Sequence, residues 1–283
     1  MIVSIVSKKG GTGCTTLTLT LGNCLNKEHG KSVCVLDLKT NNDTRKLLNI
    51  NSKASVSNLI TSYGVYNTFT SIEENVVNIG GIGVIPSVAI PYRSYLCNKI
   101  SRIKELLIEL EKRYNYVLID MEDSEAYSLL RKNGVETIPI NVLEQNILVA
   151  SEYSEEMKNG SLQGYVIVNK LDNEIFPKED FFKKYFGNNS VHHVAYSKDI
   201  KSIVNEKGFS IKEISKTRFY QDVVRFCNVL INDTSSNINV DYEYEEDDNF
   251  DIFETPESSK PSRQNKPKKV SFFSKLFGKG GSR

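Results

Sequence analysis

No apolar run in this 283-residue chain reaches the roughly 18 residues of a membrane-spanning helix, so nothing is expected to cross a bilayer. Net charge is nearly absent too. Lys and Arg number 36 against 35 Asp and Glu, a formal +1, so the whole chain offers no basic field of the kind that draws in nucleic acid. A CxxC pair is missing, and the five cysteines, Cys14, Cys24, Cys34, Cys97 and Cys227, are an odd number. That usage points to a reducing cytoplasm, with most of the thiols serving as small core residues. Met1 to Ser7 lacks the basic start and the length of a secretory signal, and reads as a buried first strand. No internal repeat is present.

Charge is unevenly placed along the chain. Asp241 to Glu254 carries eight acids and no base, whereas Thr255 to Arg283 carries eight bases and one acid, net +7. Residues 1–254 are therefore net −6 against the total of +1. From Asn232 to Pro267 the sequence is polar, rich in Ser and Asn, and without helical or strand period, as expected of a disordered linker. The expected organisation is a folded domain over 1–231, a linker over 232–267 and a basic tail over 268–283. A core of some 230 residues needs neither disulfide nor metal to hold it.

Within the first segment, apolar runs alternate with amphipathic stretches. Strands are expected at Ile2–Val6, Ser32–Leu36, Gly83–Ile85, Tyr116–Ile119, Thr137–Val142 and Tyr165–Val168. Several are Val/Ile runs with no polar alternation, which suits a parallel sheet covered on both faces. Leu96, Ile100, Ile103, Leu107, Leu110 and Tyr114 step by three or four and predict a helix. Thr15–Asn26 and Asp199–Lys207 are further helices by the same reading. The alternation implies right-handed βαβ units and an α/β fold with a doubly wound, mostly parallel sheet.

The segment after the first strand, Ser7-Lys8-Lys9-Gly10-Gly11-Thr12-Gly13-Cys14-Thr15-Thr16, sits between an apolar strand and a helix. Glycines there let backbone N–H groups wrap an anion, and the helix N-terminus adds positive potential. A usual P-loop has Lys after the last glycine, then Ser or Thr for Mg²⁺. Here Thr15 is kept, but Cys14 stands where the lysine belongs.

In spite of that change the run resembles the deviant P-loop of the ParA/MinD family, whose pattern is a lysine, two glycines, any residue, then Gly-Lys-Thr-Thr. Further stretches are similar to the family in the same order. Val33-Cys34-Val35-Leu36-Asp37-Leu38-Lys39 resembles the strand that ends in Asp-x-Asp, and Tyr114 to Asp120 resembles the Walker B strand. Val166 to Lys170 resembles the strand whose terminal Asn reads adenine. Tyr196-Ser197-Lys198-Asp199, followed by Glu206-Lys207-Gly208, is similar to the late loop and last helices. The resemblance spans about residues 1–230. It implies a P-loop fold, ATP or ADP as ligand, and a nucleotide-sandwich homodimer in which Lys9, as signature lysine, reaches the partner's phosphates. It assigns nucleotide contacts to Lys9, Gly10, Gly11, Thr12, Gly13, Cys14, Thr15, Thr16, Lys39 and Asn169, and Mg²⁺ to Thr15, Asp37 and Asp120.

Departures from the family pattern bear on the chemistry. Cys14 removes the lysine that grips the β- and γ-phosphates, and Lys39 replaces the second acid of Asp-x-Asp, which supports attack by water. After Asp120 the family's Thr-Pro-Pro-Gly becomes Met121-Glu122-Asp123-Ser124. Because phosphoryl transfer depends on positioning and electrostatics, these losses predict nucleotide binding without efficient turnover. Lys39 also moves a positive charge from one wall of the site to another. A redox or metal role for Cys14 is disfavoured, since no His or Cys motif adjoins it. The adjacent pair His192-His193 has poor metal-binding spacing and reads as a surface feature.

The tail adds a second signal. Val270, Phe273, Leu276 and Phe277 share one helical face, with Phe272 adjoining and lysines flanking. This make-up suits a short interfacial helix on anionic lipid and is similar to the membrane-targeting tails of MinD-like proteins. A protein groove is the other possible host. Two function classes follow. One is a degenerate, nucleotide-binding ParA/MinD-like factor at the inner face of the membrane, marking a site for an unidentified partner in a pilus, secretion, conjugation or division assembly. Pilus-localising relatives with altered P-loops make that subgroup attractive. The other is an active partitioning or positioning ATPase; DNA as its partner is disfavoured by the acidic folded part.

Overall fold

The computed structural model describes residues 1–66, 72–87, 92–121, 123–160, 163–186 and 191–235. Chain order is β1 (Ile2–Val6), α1 (Cys14–Lys27), β2 (Val33–Asp37), α2 (Asp43–Leu47), α3 (Val56–Tyr66), α4 (Ile72–Asn75), β3 (Val77–Ile79), β4 (Ile82–Ile85) and α5 (Tyr92–Arg113). It continues with β5 (Tyr116–Asp120), α6 (Ser124–Lys132), β6 (Ile138–Glu144), α7 (Ile147–Lys158), β7 (Tyr165–Leu171), α8 (Glu179–Phe186) and β8 (Val191–Ala195). Three helices close it: α9 (Lys198–Lys207), α10 (Ile211–Ile214) and α11 (Arg218–Ser235). The tail residues Val270, Phe272, Phe273, Leu276 and Phe277 lie outside the described residues, as does the linker from residue 236.

The strands form one sheet in the order β3-β4-β2-β5-β1-β6-β7-β8, parallel except that β3 runs antiparallel to β4. This is the doubly wound α/β sheet that the strand–helix alternation predicts. Strand β1 lies at its centre, with Ile5 opposite Asp120 of β5 and opposite Ile140 of β6. Side chains alternate between two buried faces, so every position of β1, β2 and β5 is buried. Val3 and Ile5 pack towards α1 and α11, where Leu17, Leu21, Val223 and Phe226 meet them. Ile2 and Val6 pack the other way, onto Ile103, Leu107 and Leu130 of α5 and α6. Each such side chain, when fully buried, contributes roughly 1.5–3 kcal/mol.

Helix α1 carries the sequence Thr-Leu-Thr-Leu-Thr-Leu, whose strict alternation suits a strand. The helix can bury these threonines because their hydroxyls find partners one turn back. Thr18 Oγ1 donates to the Cys14 carbonyl at 2.9 Å and Thr20 Oγ1 to that of Thr16 at 2.7 Å. The leucines are then free to pack between the sheet and α11.

Two strands went unread in the sequence. β3 is a three-residue edge strand, and β8 contains His192-His193, which interrupts an otherwise apolar run. Strand β8 also corrects the surface reading of the histidines. His192 packs between Tyr165 and Phe226, with ring centroids 5.8 and 4.9 Å away, and burial pulls its pKa down to about 4. His193 lies over Phe182 and 3.5 Å from Glu179.

Candidate functional site

The loop of interest joins β1 to α1 at the carboxyl edge of the sheet, where β2 and β5 also deliver their last residues. Such an edge is where open α/β sheets bind ligands. Gly10 and Gly11 form a turn, and among the described residues the backbone N–H groups of Gly10, Gly11 and Gly13 to Thr16 make no hydrogen bond within the chain. They cap the open N-terminus of α1, which has no side-chain cap and no acid in its first turn. A row of free N–H groups at a helix start is a ready anion cradle.

The loop's shape is fixed from behind by β7. Asn169 Nδ2 donates to the Thr12 carbonyl at 2.7 Å, and Lys170 Nζ donates to the Gly11 carbonyl at 2.5 Å while pairing with Glu144 at 2.6 Å. Gly13 has φ +89°, and a Cβ there would come within 2.7 Å of the Asn169 amide, so the position accepts only glycine. Lys8 is pinned as well. Its N–H donates to the Tyr153 hydroxyl at 2.8 Å and its ammonium pairs with Glu156 at 2.6 Å. Lys9 differs from its neighbour: it is exposed, and its ammonium has no partner among the described residues. Gly10 and Gly11 are exposed, Thr12 is buried and Thr16 half-buried.

Opposite β7, three charged side chains meet out of water. Asp37 and Asp120 are fully buried, side by side at the ends of the paired strands β2 and β5, and Lys39 follows two residues past the end of β2. Its ammonium lies 2.8 Å from Asp120 Oδ1 as an ion pair and donates to Thr15 Oγ1 at 2.9 Å. Thr15 Oγ1 in turn donates to Asp120 Oδ2 at 2.6 Å. Asp37 does not touch the ammonium. It accepts from the Lys39 backbone N–H at 2.9 Å and from Ser87 Oγ at 2.9 Å.

Electrostatics follow from this burial. Desolvation, then the neighbouring Asp120, push the Asp37 carboxyl up to about 6. Complete burial also pushes Asp120 above the ordinary carboxylate range, against the pull of Lys39 and Thr15. Burial alone would pull the Lys39 ammonium down, but Asp120 first, with Cys14 and Asp37 beside it, offsets that and holds the ammonium above its usual value. Cys14 stays a neutral thiol: burial pushes it to about 11, and its Sγ lies 3.3 Å from Thr12 Oγ1. In that state it is not a thiolate nucleophile at neutral pH.

The oxygens expected to hold Mg²⁺ do come together, but not around room for a metal. Thr15 Oγ1 and Asp120 Oδ1 both face the Lys39 ammonium, within 2.9 and 2.8 Å. A Mg²⁺ about 2.0–2.1 Å from the same oxygens would sit against that like charge. With Lys39 in place the residues do not fit the metal.

Comparison with known proteins bears on the same site. Residues 3–210 match the CobQ/CobB/MinD/ParA nucleotide binding domain, almost three-quarters of the chain. The chain belongs to this family. No curated protein matches it in sequence. Among solved structures, the septum site-determining protein MinD from Pyrococcus horikoshii OT3, complexed with Mg-ADP, is similar with TM-score 0.65 at 18% identity, covering 84% of this chain and 99% of that one. A ParA family ATPase from Chlorobium tepidum TLS gives 0.65 at 16%, covering 80% and 98%. The MinC:MinD cell division complex of Aquifex aeolicus gives 0.66 at 15%, covering 82% and 95%. At such identities the likeness is one of fold. Within the ParA/MinD fold, the structure adds four residues that sequence reading did not assign: Lys170, Glu144, Tyr153 and Ser87. Their partners lie 26 to 159 positions away in sequence, so only a register linking β6 to β7 would have suggested even one of them.

Proposed function

We propose that this ParA/MinD-type chain binds ATP or ADP but hydrolyses it poorly, and that it serves as a membrane-associated positioning or scaffold factor for a larger assembly. The observation that carries this reading is Lys39, held between Thr15 and Asp120 where the family pattern places an acid. A base cannot position the attacking water as that acid would. Cys14, neutral and packed inward, supplies no charge to a β- or γ-phosphate. The anion cradle of Gly10–Thr16 nevertheless remains open, which supports binding. Binding without turnover suits a marker better than a motor.

Exposed Lys9, with no partner to its ammonium in its own chain among the described residues, supports a sandwich homodimer in which it meets the other protomer's nucleotide. Among the described residues no helix is long and apolar enough to cross a membrane. Membrane contact falls instead to the amphipathic tail over 268–283, whose apolar face would bind an anionic leaflet weakly from one copy and more firmly from two. The MinD of Aquifex aeolicus is seen complexed with MinC, and by analogy a protein partner is proposed for this chain too.

Calorimetric titration of the full chain with ADP and ATP, followed by phosphate-release assays, tests the central reading. Modest affinity with negligible turnover is expected. Cys14→Lys should tighten binding, and Cys14→Lys with Lys39→Asp should recover some hydrolysis. Robust Mg²⁺-dependent phosphate release from the natural chain would overturn it. For the tail, co-sedimentation with anionic vesicles should be lost on truncation after Pro267 and weakened by Phe273→Asp.

A further inference from the structure

We propose that the Lys39 ammonium is the resident cation of this site, taking the place of Mg²⁺ between Thr15 and Asp120, so that the chain binds a nucleoside polyphosphate with no divalent metal. The proposal rests on the nucleotide-binding reading above and goes beyond it by naming the counter-ion.

Three features of the geometry support it. The first is that the cation is built in at both ends. The Lys39 backbone N–H is held by Asp37, itself fixed by Ser87, and the ammonium is held by Thr15 and Asp120. The Lys39 side chain is only 12% exposed, so the charge is not a solvated group that swings aside for a metal. Second, the pair is hard to open. Asp120 is fully buried, and moving the lysine away would strand its carboxylate. Third, the neighbour has made room. Cys14 is a small neutral thiol close enough to feel the Lys39 charge, where a lysine would bring a second ammonium.

An ammonium carries three donors. Thr15 Oγ1 takes one of them at 2.9 Å and Asp120 Oδ1 faces the ammonium as an ion pair at 2.8 Å, so a phosphate oxygen would take a remaining donor as a charge-assisted bond. A lysine makes no octahedral demand and carries half the charge of Mg²⁺. The site therefore recognises the metal-free polyphosphate, and Mg²⁺ in solution competes by complexing it. Added Mg²⁺ is expected to weaken binding or leave it unchanged, the reverse of a metal-dependent site.

The decisive measurement is the affinity of the natural full chain for ADP and ATP in excess EDTA and in excess Mg²⁺. The expected result is an equal or weaker affinity with Mg²⁺; a tightening of about threefold or more overturns the proposal. Lys39→Met should lose about tenfold or more in EDTA and recover part of it with Mg²⁺, whereas Lys39→Arg should stay indifferent to the metal. Circular dichroism checks that the variants fold. A second readout needs no nucleotide. Titration with Mn²⁺, followed by the paramagnetic resonance of the free ion, should show uptake by Lys39→Met and none by the natural chain. Equal uptake by both sinks the idea. If the natural chain binds no nucleotide under either condition, the functional reading fails, and the Mn²⁺ titration still decides whether Lys39 excludes a metal.

Discussion

The two walls of the loop site are built on opposite principles. On the β2/β5 wall, Asp37, Lys39, Thr15 and Asp120 form a closed, buried ionic cluster in which each charged group depends on the others. On the β6/β7 wall, Asn169, Lys170 and Glu144 grip the loop through its carbonyls, and Lys170 and Glu144 remain 40% and 33% exposed. The first wall sets the charge that a ligand meets; the second sets only the shape it meets. Buried charges are strongly coupled and partly exposed ones are screened, so the two walls should answer mutation very differently.

The largest effect is expected from Lys39→Met. It leaves Asp120 buried without a counter-charge, at a cost of about 3–5 kcal/mol near neutral pH in urea unfolding. Asp120 is then pushed still further up, so the folded state holds a proton that the unfolded chain gives up, and the loss should shrink as pH falls. Lys39→Met with Asp120→Asn should recover most of the stability. If Lys39→Met costs no more than a surface substitution, the cluster is not closed and the comparison collapses.

Next comes Asp37, which works in the opposite sense. Its folded pKa of about 6 lies above its ordinary value, so the folded state binds the extra proton. Stability attributable to this group falls as pH rises from about 4 to about 6. Asp37→Asn should remove that slope and add on the order of 1–3 kcal/mol above it. His192 acts against Asp37 over much the same window. Its folded pKa of about 4 lies below the ordinary value, so its contribution is present above about 6.5 and is lost as pH falls towards 4. His192→Phe should therefore protect the chain in acid, and paired unfolding curves of the two variants separate the terms.

The β6/β7 wall should give the smallest changes. Asn169→Ala leaves the buried Thr12 carbonyl without its donor and should cost about 1–2 kcal/mol. Lys170→Met should cost less than about 1 kcal/mol, since its pair with Glu144 is partly exposed. Both should nonetheless speed amide hydrogen exchange in Gly10–Thr16 (a local measure of the loop's hold) more than either changes the global unfolding midpoint.

Much of this was legible in the sequence, and the exceptions have physical causes. Six of the strands are apolar runs whose faces are both buried, so composition alone marks them. β3 is short and lies at the edge, and β8 hides two imidazoles among aromatics, so neither carries that mark. Cys14, Thr15, Lys39, Asp37 and Asp120 could be named because the resemblance fixes their order along the chain. What could not be read was which way Lys39 turns. A lysine beside a phosphate site has both the ligand and the acids within reach, and only the packing of β2 against β5 brings its ammonium to Asp120. Lys8 and Lys9 were indistinguishable for the same reason, since the Tyr153 and Glu156 that claim Lys8 come from a helix 145 and more positions later.

One detail of β7 reaches further than its size suggests. The register against β8 shifts between Asn169 and Leu171, and Lys170 between them has φ 60°. In an uninterrupted strand, consecutive side chains leave on opposite sides, so 169 and 170 could not both reach one loop. The irregularity cancels the alternation for a single step and turns a one-point hold into a clasp with two adjoining fingers. Deleting one residue here would restore a straight strand and keep its pairing with β6. It would still unfasten the loop, because the clasp resides in the extra residue rather than in either side chain alone.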